Sequence, residues 1–531
     1  MERTSGDMVE LPPQSTGGTN ASQPGATPAP RKGATAAVLA AVLLGMFGDA
    51  LFRAPTLGIN VVIWIAAVLT AVAWVARVRD RPLTRGTLIL FLPALFFASV
   101  FAWRAAEALL VFNTLALITS LGVLALAASR WPASGARASL AEWIAGAVSL
   151  AFSGLFGAPM LVAADHALAD GGARPRMKGA VAAIRGILIA LPILLVFGAL
   201  LSSADPRFEE LLSNLVAIDF GATISHIVLA AFIAWWAAGY LRAADVADRP
   251  LGLSSEWHPP RLTLGIAELA TVLGLVDALF ALYVAIQIPH LFGGAARVRA
   301  VAGLTMAEYA RGGFFQLIVV GALVVPLLLA GAALVRRDVE RPWRIFRALA
   351  VVMIALVAVM IASALQRLGL YVASFGLTED RVYATAIVVW LAIVFVLLIA
   401  TVLRRRDAGF ALGALASAWL VLAALDVINP QARVVATNAN RAVDGTAFDW
   451  KYASQLSIDG GPALANAMAR LDESGRCAVA RSLVTVVDDR DGGLAKDWRS
   501  WNVSRLRAFR AATAVSPRSI LAACPTMVTP Q

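Results

Sequence analysis

Long apolar runs separated by short polar connections dominate the chain from Ala34 to Val427. A helix of about 20 apolar residues, at 1.5 Å per residue, spans a hydrocarbon core of roughly 30 Å. Strand-like alternation of apolar and polar residues is absent, so helices must satisfy the backbone polar groups in lipid. The pattern therefore predicts an all-α, polytopic transmembrane helical bundle of about 11–12 spans. The predicted spans are 34–52, 56–76, 87–103, 107–128, 140–163, 180–202, 222–241, 262–288, 313–335, 345–366, 382–403 and 409–428.

Polar segments at the two ends divide the chain into three parts. Residues 1–33 are rich in Pro, Gly, Ser and Thr, and we predict a disordered N-terminal tail because so little apolar surface is available to bury. Residues 34–428 form the predicted transmembrane helical domain. After residue 428 the composition becomes polar, while Leu464 and Met468 keep helical spacing. We predict a small extracytoplasmic helical C-terminal domain over 429–531.

Arginine-rich connections predict the orientation of the bundle. Residues 336–344 and 404–406 carry an excess of arginine and flank two predicted spans, so both are expected in the cytoplasm. The acidic connection 202–221 fits the outer side, and span 409–428 then delivers the C-terminal domain to that side. Together with the preference for Ala, Gly and Arg over Lys, this predicts a multi-pass protein of a bacterial cytoplasmic (inner) membrane.

The N-terminal half does not follow the charge rule so simply. The connections 77–85 and 174–185 are both basic, yet three predicted spans lie between them, so the two connections fall on opposite sides. Either one of the three is re-entrant or interfacial, or the charge rule fails locally. The segment 87–103 is the shortest and contains Pro93, which makes it the first suspect.

The net charge of +11 arises in a chain with 59% hydrophobic and only 15% charged residues, against about 25% charged in soluble domains. Arginines beside membrane spans contact anionic lipid headgroups. The expected partners are therefore the lipid bilayer and either a protein or a small solute that the sequence does not identify. Nucleic-acid binding is not indicated.

The two cysteines, Cys477 and Cys524, both lie in the C-terminal domain. A disulfide between them is possible in an oxidising compartment, and two buried thiols are the alternative. The sequence has no CxxC pair, no HExxH, no GxSxG and no phosphate-binding glycine loop after a strand. We therefore predict no metal, no cofactor and no catalytic residues.

Asp277 is the clearest candidate for function, because it lies near the middle of span 262–288. An aspartate there costs about 2.5–3.5 kcal/mol on insertion scales, and such residues are functional candidates by default. It would bind a cation, relay protons, or form a structural ion pair or hydrogen bond. Glu268, nine residues earlier, faces a different side of the helix, so a carboxylate pair for acid–base catalysis is not supported. His226, near the start of span 222–241, is expected to be a hydrogen-bonded packing residue.

Two segments are distinctive: LYVAIQIPHLFGG over 282–294 and GLTMAEYARGGFFQL over 303–317. They resemble the "domain of unknown function 4173" family and its 4153 relatives, which are uncharacterised bacterial polytopic membrane proteins. The resemblance extends over about residues 180–510. It implies the fold and the location but no activity. Gly312 and Gln316 stand where the family has Arg and Glu, so roles that need those charges are not carried over.

The same segments suggest a polar cluster at the start of span 313–335. Glycines at 312 and 313 permit unusual backbone angles, and a re-entrant hairpin there would bring polar side chains to one cavity. A stiff interfacial loop that anchors two helices is the alternative. The candidate cluster is Asp277, Glu268, Gln287, Glu308, Tyr309 and Arg311.

Three functions fit these features. An intramembrane carboxylate and proline-broken spans are typical of transporters, and a transporter-like role is the first hypothesis. The alternative is an envelope sensor, scaffold or assembly protein that acts through its external C-terminal domain. An enzyme acting on lipid or cell-wall precursors needs a convergent acid–base pair, which the sequence does not offer, so a non-enzymatic role is favoured.

Overall fold

The computed structural model describes most of the membrane region and most of the C-terminal part. The described residues are 30–129, 140–161, 220–245, 265–292, 314–335, 339–406, 409–443, 448–489 and 497–524, with five isolated positions between 190 and 207. Within them, ten helices are long and apolar enough to cross a membrane. They correspond to ten of the twelve predicted spans. This confirms the all-α polytopic bundle. The prediction for 180–202 lies outside the described residues.

The helices of the membrane region are α1 (Pro30–Phe52), α2 (Ile59–Val78), α3 (Arg85–Ile89), α4 (Phe91–Val100), α5 (Glu107–Ala128), α6 (Leu140–Met160), α7 (Phe220–Asp245), α8 (Ile266–Phe292), α9 (Phe314–Leu334), α10 (Glu340–Phe375), α11 (Glu379–Ala400) and α12 (Phe410–Ile428). Those of the C-terminal part are α13 (Pro430–Val443), α14 (Trp450–Gln455), α15 (Gly461–Ala467), α16 (Glu473–Asp489), α17 (Val503–Ala514) and α18 (Pro517–Ala522). Short 3₁₀ turns cover Val402–Arg404, Ile458–Gly460, Met468–Arg470 and Trp498–Ser500. α1 begins at Pro30, inside the range predicted to be a disordered tail.

Three connections of the membrane region contact the C-terminal helices, and they define one side of the bundle, here called the domain face. The first is 101–106. Asp459, only 1% exposed, accepts hydrogen bonds from the backbone N–H groups of Ala105 at 2.9 Å and Ala106 at 2.8 Å. The side-chain amide of Asn502 donates to two carbonyls of the same connection, both at 2.8 Å. Backbone groups at a span end are thereby satisfied by protein.

The other two connections are 53–58 and 376–378. The N–H of Ile59, the first residue of α2, donates to the Trp501 carbonyl at 3.0 Å. In 376–378, the backbone N–H and C=O of Leu377 both bond the Asn438 side chain at 2.8 Å. Gly376 has φ +82°, and a Cβ there would lie 2.7 Å from the Asn438 side-chain oxygen, so both backbone angle and space require glycine.

The opposite side carries the arginine-rich connections and is here called the arginine face. Arg405 pairs with Glu340 at 2.8 Å, and its guanidinium lies 5.2 Å from the centre of the Trp343 ring. The connections before α10 and after α11 therefore lie on one side of the bundle, as the charge pattern predicted.

The segment predicted as span 87–103 forms α3 and α4, which lead into connection 101–106 on the domain face. This apolar segment, Arg85–Val100, has 16 residues, or about 24 Å of helix. Pro93 lies in the first turn of α4, where a missing N–H costs no helical hydrogen bond. That 87–103 is re-entrant or interfacial stays a prediction.

Five hydrophobic clusters hold the described helices together, and the smallest joins α8, α9, α10 and α11 around Val284, Leu317 and Ala364. The largest joins α8, α9, α10 and α11 around the fully buried Phe346, Met353 and Leu328. An alanine-rich cluster joins α1, α2 and α7, as is common where membrane helices approach closely. A third joins α2, α4, α5 and α12 around Trp419. The C-terminal helices have their own core, including Val479 and Leu483.

We predict that Asp459→Ala weakens the interface between the C-terminal domain and the bundle. The change leaves the N–H groups of Ala105 and Ala106 without their acceptor in a buried position, at a cost of about 2–4 kcal/mol. Thermal unfolding in detergent, together with proteolysis in the 101–106 connection, measures the effect.

Asp488→Ala is the matched control. Asp488 pairs with Arg518 at 2.5 Å on the surface, with side chains 54% and 64% exposed, and such pairs contribute about 0–1 kcal/mol. Equal effects of the two substitutions would contradict the role assigned to Asp459.

Candidate functional site

A cluster of buried polar side chains lies where α12 leaves the bundle at the domain face. Arg104, in the connection before α5, donates from Nε to the Asp426 carbonyl at 2.7 Å and from Nη2 to the Val427 carbonyl at 3.5 Å. It thereby caps the last turn of α12, where carbonyls lack helical partners. Burial lowers the pKa of Arg104, and the charges of Asp459 and Asp426 oppose that shift.

Asp426 and Asn113 join α12 to α5 inside the bundle. Both are fully buried. The Asn113 side-chain N–H donates to Asp426 Oδ1 and to the Leu109 carbonyl, each at 2.8 Å. The remaining oxygens, Asn113 Oδ1 and Asp426 Oδ2, are buried and accept no hydrogen bond from a described residue. Each unpaired buried acceptor costs about 1–3 kcal/mol.

Gln431 continues the cluster into the first turn of α13. Its Nε2 donates to the Tyr383 hydroxyl at 3.1 Å and to the Glu379 carboxylate. Gln431 is also fully buried, and its Oε1 is a third acceptor with no partner among the described residues. Three buried acceptors without donors therefore belong to one end of the bundle, beside carboxylates from α11 and α12.

Below this cluster an apolar groove of about 310 Å³ runs between α5, α11 and α12. Its walls are Phe112, Leu115, Ala116, Thr119, Tyr383, Ala386, Ile387, Trp390, Leu415, Ala418, Trp419, Val421, Leu422 and Leu425. The Thr119 hydroxyl is already bonded to the Trp419 indole N–H at 3.1 Å. The exposed rings and chains of Phe112, Leu115 and Ile387 flank the mouth, so the groove opens toward lipid.

Two aromatic rings separate the groove from the polar cluster. Phe112 and Tyr383 are in edge-to-face contact, with ring centroids 6.1 Å apart, and both line the groove. The Tyr383 hydroxyl bonds Gln431, and Phe112 precedes Asn113 in α5. An amphiphile with its chain in the groove would thus have its head group next to these rings.

The residues singled out from the sequence are distributed differently. Asp277 is 6% exposed in α8, and neither carboxyl oxygen has a hydrogen-bond partner among the described residues. Glu268 accepts from the Gly265 N–H at 2.9 Å and so caps the first turn of α8. For Gln287 only the helical backbone is described. Glu308, Tyr309 and Arg311 lie outside the described residues, so their cavity with Asp277 stays a prediction.

Two further pairs involve residues named above. His226 bonds the carboxylate of Asp49, which also pairs with Arg53 at 2.8 Å, and this links α7 to α1. Cys477 and Cys524 form a disulfide with Cα atoms 5.9 Å apart, which ties α16 to the segment after α18. Among the described residues no group of His, Cys, Asp or Glu could hold a metal ion.

Comparison with known families gives a match to the model described as "Domain of unknown function (DUF4153)" over residues 91–467. The match covers well over half of the chain. The chain belongs to this family. The DUF4153 match begins earlier and ends earlier than the resemblance seen in the sequence, and it includes α5, α11, α12 and Asp459. No curated protein and no solved structure matches, so the DUF4153 assignment brings no activity with it.

The polar cluster was missed in the sequence although it left a signal there. Asn113 and Asp426 both lie within predicted membrane spans, where ionisable and amide side chains mark candidate sites. Both are close to span ends, where such residues commonly reach the headgroups, so their position alone does not single them out. Their pairing joins positions 313 residues apart, which periodicity does not detect.

We predict that Asp277→Leu stabilises the protein. A buried carboxyl without a partner costs about 1–3 kcal/mol, and a leucine of similar size removes that cost. Thermal unfolding in detergent should show a higher midpoint for Asp277→Leu than for the wild type. Asp277→Asn, which keeps a polar group, should gain less. Destabilisation by leucine would instead show that the Asp277 carboxyl has a partner outside the described residues.

Proposed function

We propose that this protein binds a membrane amphiphile and holds one of its hydrocarbon chains in the groove between α5, α11 and α12. The observation that carries the proposal is the groove itself, an apolar space of about 310 Å³ within the size range of ligand sites. It opens toward lipid and ends at buried polar groups. Hydrocarbon chains fit an apolar wall, because close packing there gains van der Waals contact and no polar group needs a partner.

The location of the groove supports the second of the earlier hypotheses, a sensor, scaffold or assembly protein. The helices that line it are also attached to the C-terminal domain. α11 follows connection 376–378, and α12 continues into α13 with only Asn429 between them. An amphiphile that separates α11 from α12 would therefore shift the attachment of the domain. In this proposal, the attachment of the C-terminal domain changes when a lipid occupies the groove.

A transporter-like role is the second candidate, and Asp277 favours it. Its buried carboxyl has no hydrogen-bond partner among the described residues, and an intramembrane carboxyl of this kind can relay protons or bind a cation. Asp277 belongs to α8, which contributes nothing to the groove. The two candidates therefore predict loss of function from different substitutions.

The proposed location is the bacterial cytoplasmic membrane, with the arginine face in the cytoplasm and the C-terminal domain outside. The arginines at 336–344 and 404–406 support this orientation through the positive-inside rule. The Cys477–Cys524 disulfide supports it independently, because disulfides persist in oxidising compartments.

We predict that filling the groove displaces the lipid. Ala386→Phe and Ala418→Phe each place a ring in the groove, and we expect the lipid that copurifies in detergent to fall several-fold, measured by native mass spectrometry. Ala392→Phe is the matched control, because Ala392 is exposed on the same helix as Ala386 and does not line the groove. Equal lipid retention in all three variants would contradict the proposal.

We predict that the domain is reached from outside the cell. After mild reduction of intact cells, a membrane-impermeant maleimide should label Cys477 and Cys524, which are half-buried rather than fully enclosed. The double serine variant serves as the unlabelled control. Labelling that requires permeabilised cells would place the domain in the cytoplasm and reverse the orientation.

A further inference from the structure

The three unpartnered acceptors all adjoin residues that line the groove. Asn113 follows Phe112, Asp426 follows Leu425, and Gln431 is bonded to Tyr383. Each of the three side chains is fully buried, and each has one oxygen without a donor among the residues that the structure describes. Unpaired buried acceptors are uncommon in proteins. Three of them at one end of one groove point to a ligand that supplies donors.

The chemistry of the cluster narrows that ligand. Every unpartnered atom is an oxygen that accepts, and Asp426 and Glu379 contribute carboxylates. The nearest guanidinium, that of Arg104, donates to the carbonyls of Asp426 and Val427. A phosphate, or another anion that only accepts hydrogen bonds, would place its own oxygens against these acceptor oxygens, and no hydrogen bond could form. A primary ammonium group carries three N–H donors and a positive charge. The donors complement the acceptor oxygens, and the charge complements the carboxylates.

Tyr383 and Phe112 connect the groove with these acceptors. None of the three acceptor residues lines the groove, whereas both rings do, and the Tyr383 hydroxyl accepts from Gln431 Nε2 at 3.1 Å. Rotation of the Tyr383 ring away from Gln431 opens the groove to the cluster. Gln431 Nε2 keeps its bond to the Glu379 carboxylate, and Gln431 Oε1 gains a donor from the ligand, so that opening and head-group binding are coupled.

We propose, resting on the amphiphile-binding function above, that the cluster of Asn113, Asp426 and Gln431 selects a head group with a primary amine, such as that of phosphatidylethanolamine. The hydrocarbon chain lies in the groove, and the ammonium group donates to the three oxygens. The phosphate remains outside the rings, toward the lipid headgroups.

A methylation series of lipids tests this without altering the protein. The full-length protein is placed in nanodiscs that contain equimolar phosphatidylethanolamine, its N,N-dimethyl derivative, phosphatidylcholine and phosphatidylglycerol, all with the same acyl chains. Lipid retained after extraction into detergent is identified by native mass spectrometry. The first three lipids keep the phosphate and the positive charge while the N–H donors fall from three to one to none. We expect retention to fall in that order, with at least fivefold preference for the primary amine over phosphatidylcholine.

Substitutions of the acceptors provide a second measurement. Asn113→Leu and Gln431→Met remove one acceptor each at similar side-chain size. We expect the preference for the primary amine to drop at least threefold, while the total retained lipid stays unchanged. Ala392→Phe should keep the wild-type preference. If a variant does not fold, the methylation series on the wild type still decides.

The outcomes separate the two proposals. Retained lipid with no order in the methylation series, or with phosphatidylglycerol enriched, would overturn the amine site and leave the amphiphile-binding function intact. Absence of retained lipid in the wild type would overturn the amphiphile-binding function and the amine site with it. Preference that persists in both acceptor variants would also overturn the assignment to these residues.

Discussion

Backbone and side-chain polar groups at the edge of the bilayer must find partners, and here those partners come from the far end of the chain. Asp459 accepts from two N–H groups of connection 101–106, and the Trp501 carbonyl accepts from the first residue of α2. Helix termini leave such groups unpaired by geometry. The C-terminal domain is therefore part of how the membrane spans end, rather than a module attached by a linker.

At the same boundary, buried polar groups are fully hydrogen-bonded in one place and partly unpaired in another. Both carboxylate oxygens of Asp459 are hydrogen-bonded. One accepts from two backbone N–H groups and the other accepts from the Ser504 hydroxyl. In the cluster of Asn113, Asp426 and Gln431, by contrast, three acceptors have no donor among the described residues. Satisfied networks stabilise, whereas half-satisfied ones cost free energy. Three unpaired acceptors beside one groove cost free energy, and a bound ligand that supplies donors is the simplest explanation for them.

Hydropathy alone predicted ten of the helices, because burial in lipid places the same demand on every span. At 87–103 the sequence does not show the helix break at Leu90, which puts Pro93 in the first turn of α4. The interface between the C-terminal domain and the bundle could not be predicted from the sequence. Its contacts link Ala105 to Asp459 and Asn113 to Asp426, residues more than 300 positions apart, and no periodicity in one chain encodes such pairs.

Asp277 and the acceptor cluster differ in a way that bears on function. Both contain a buried carboxyl group within a span, and sequence reasoning favours Asp277 because it lies deeper. Depth measures the cost of a charge, but it does not measure access to a ligand. The cluster adjoins a groove that opens toward lipid and helices that carry the extramembrane domain, whereas the described surroundings of Asp277 are apolar helix packing. A binding event at the cluster has a structural path to the C-terminal domain, and this makes the cluster the stronger candidate site for the proposed response to lipid.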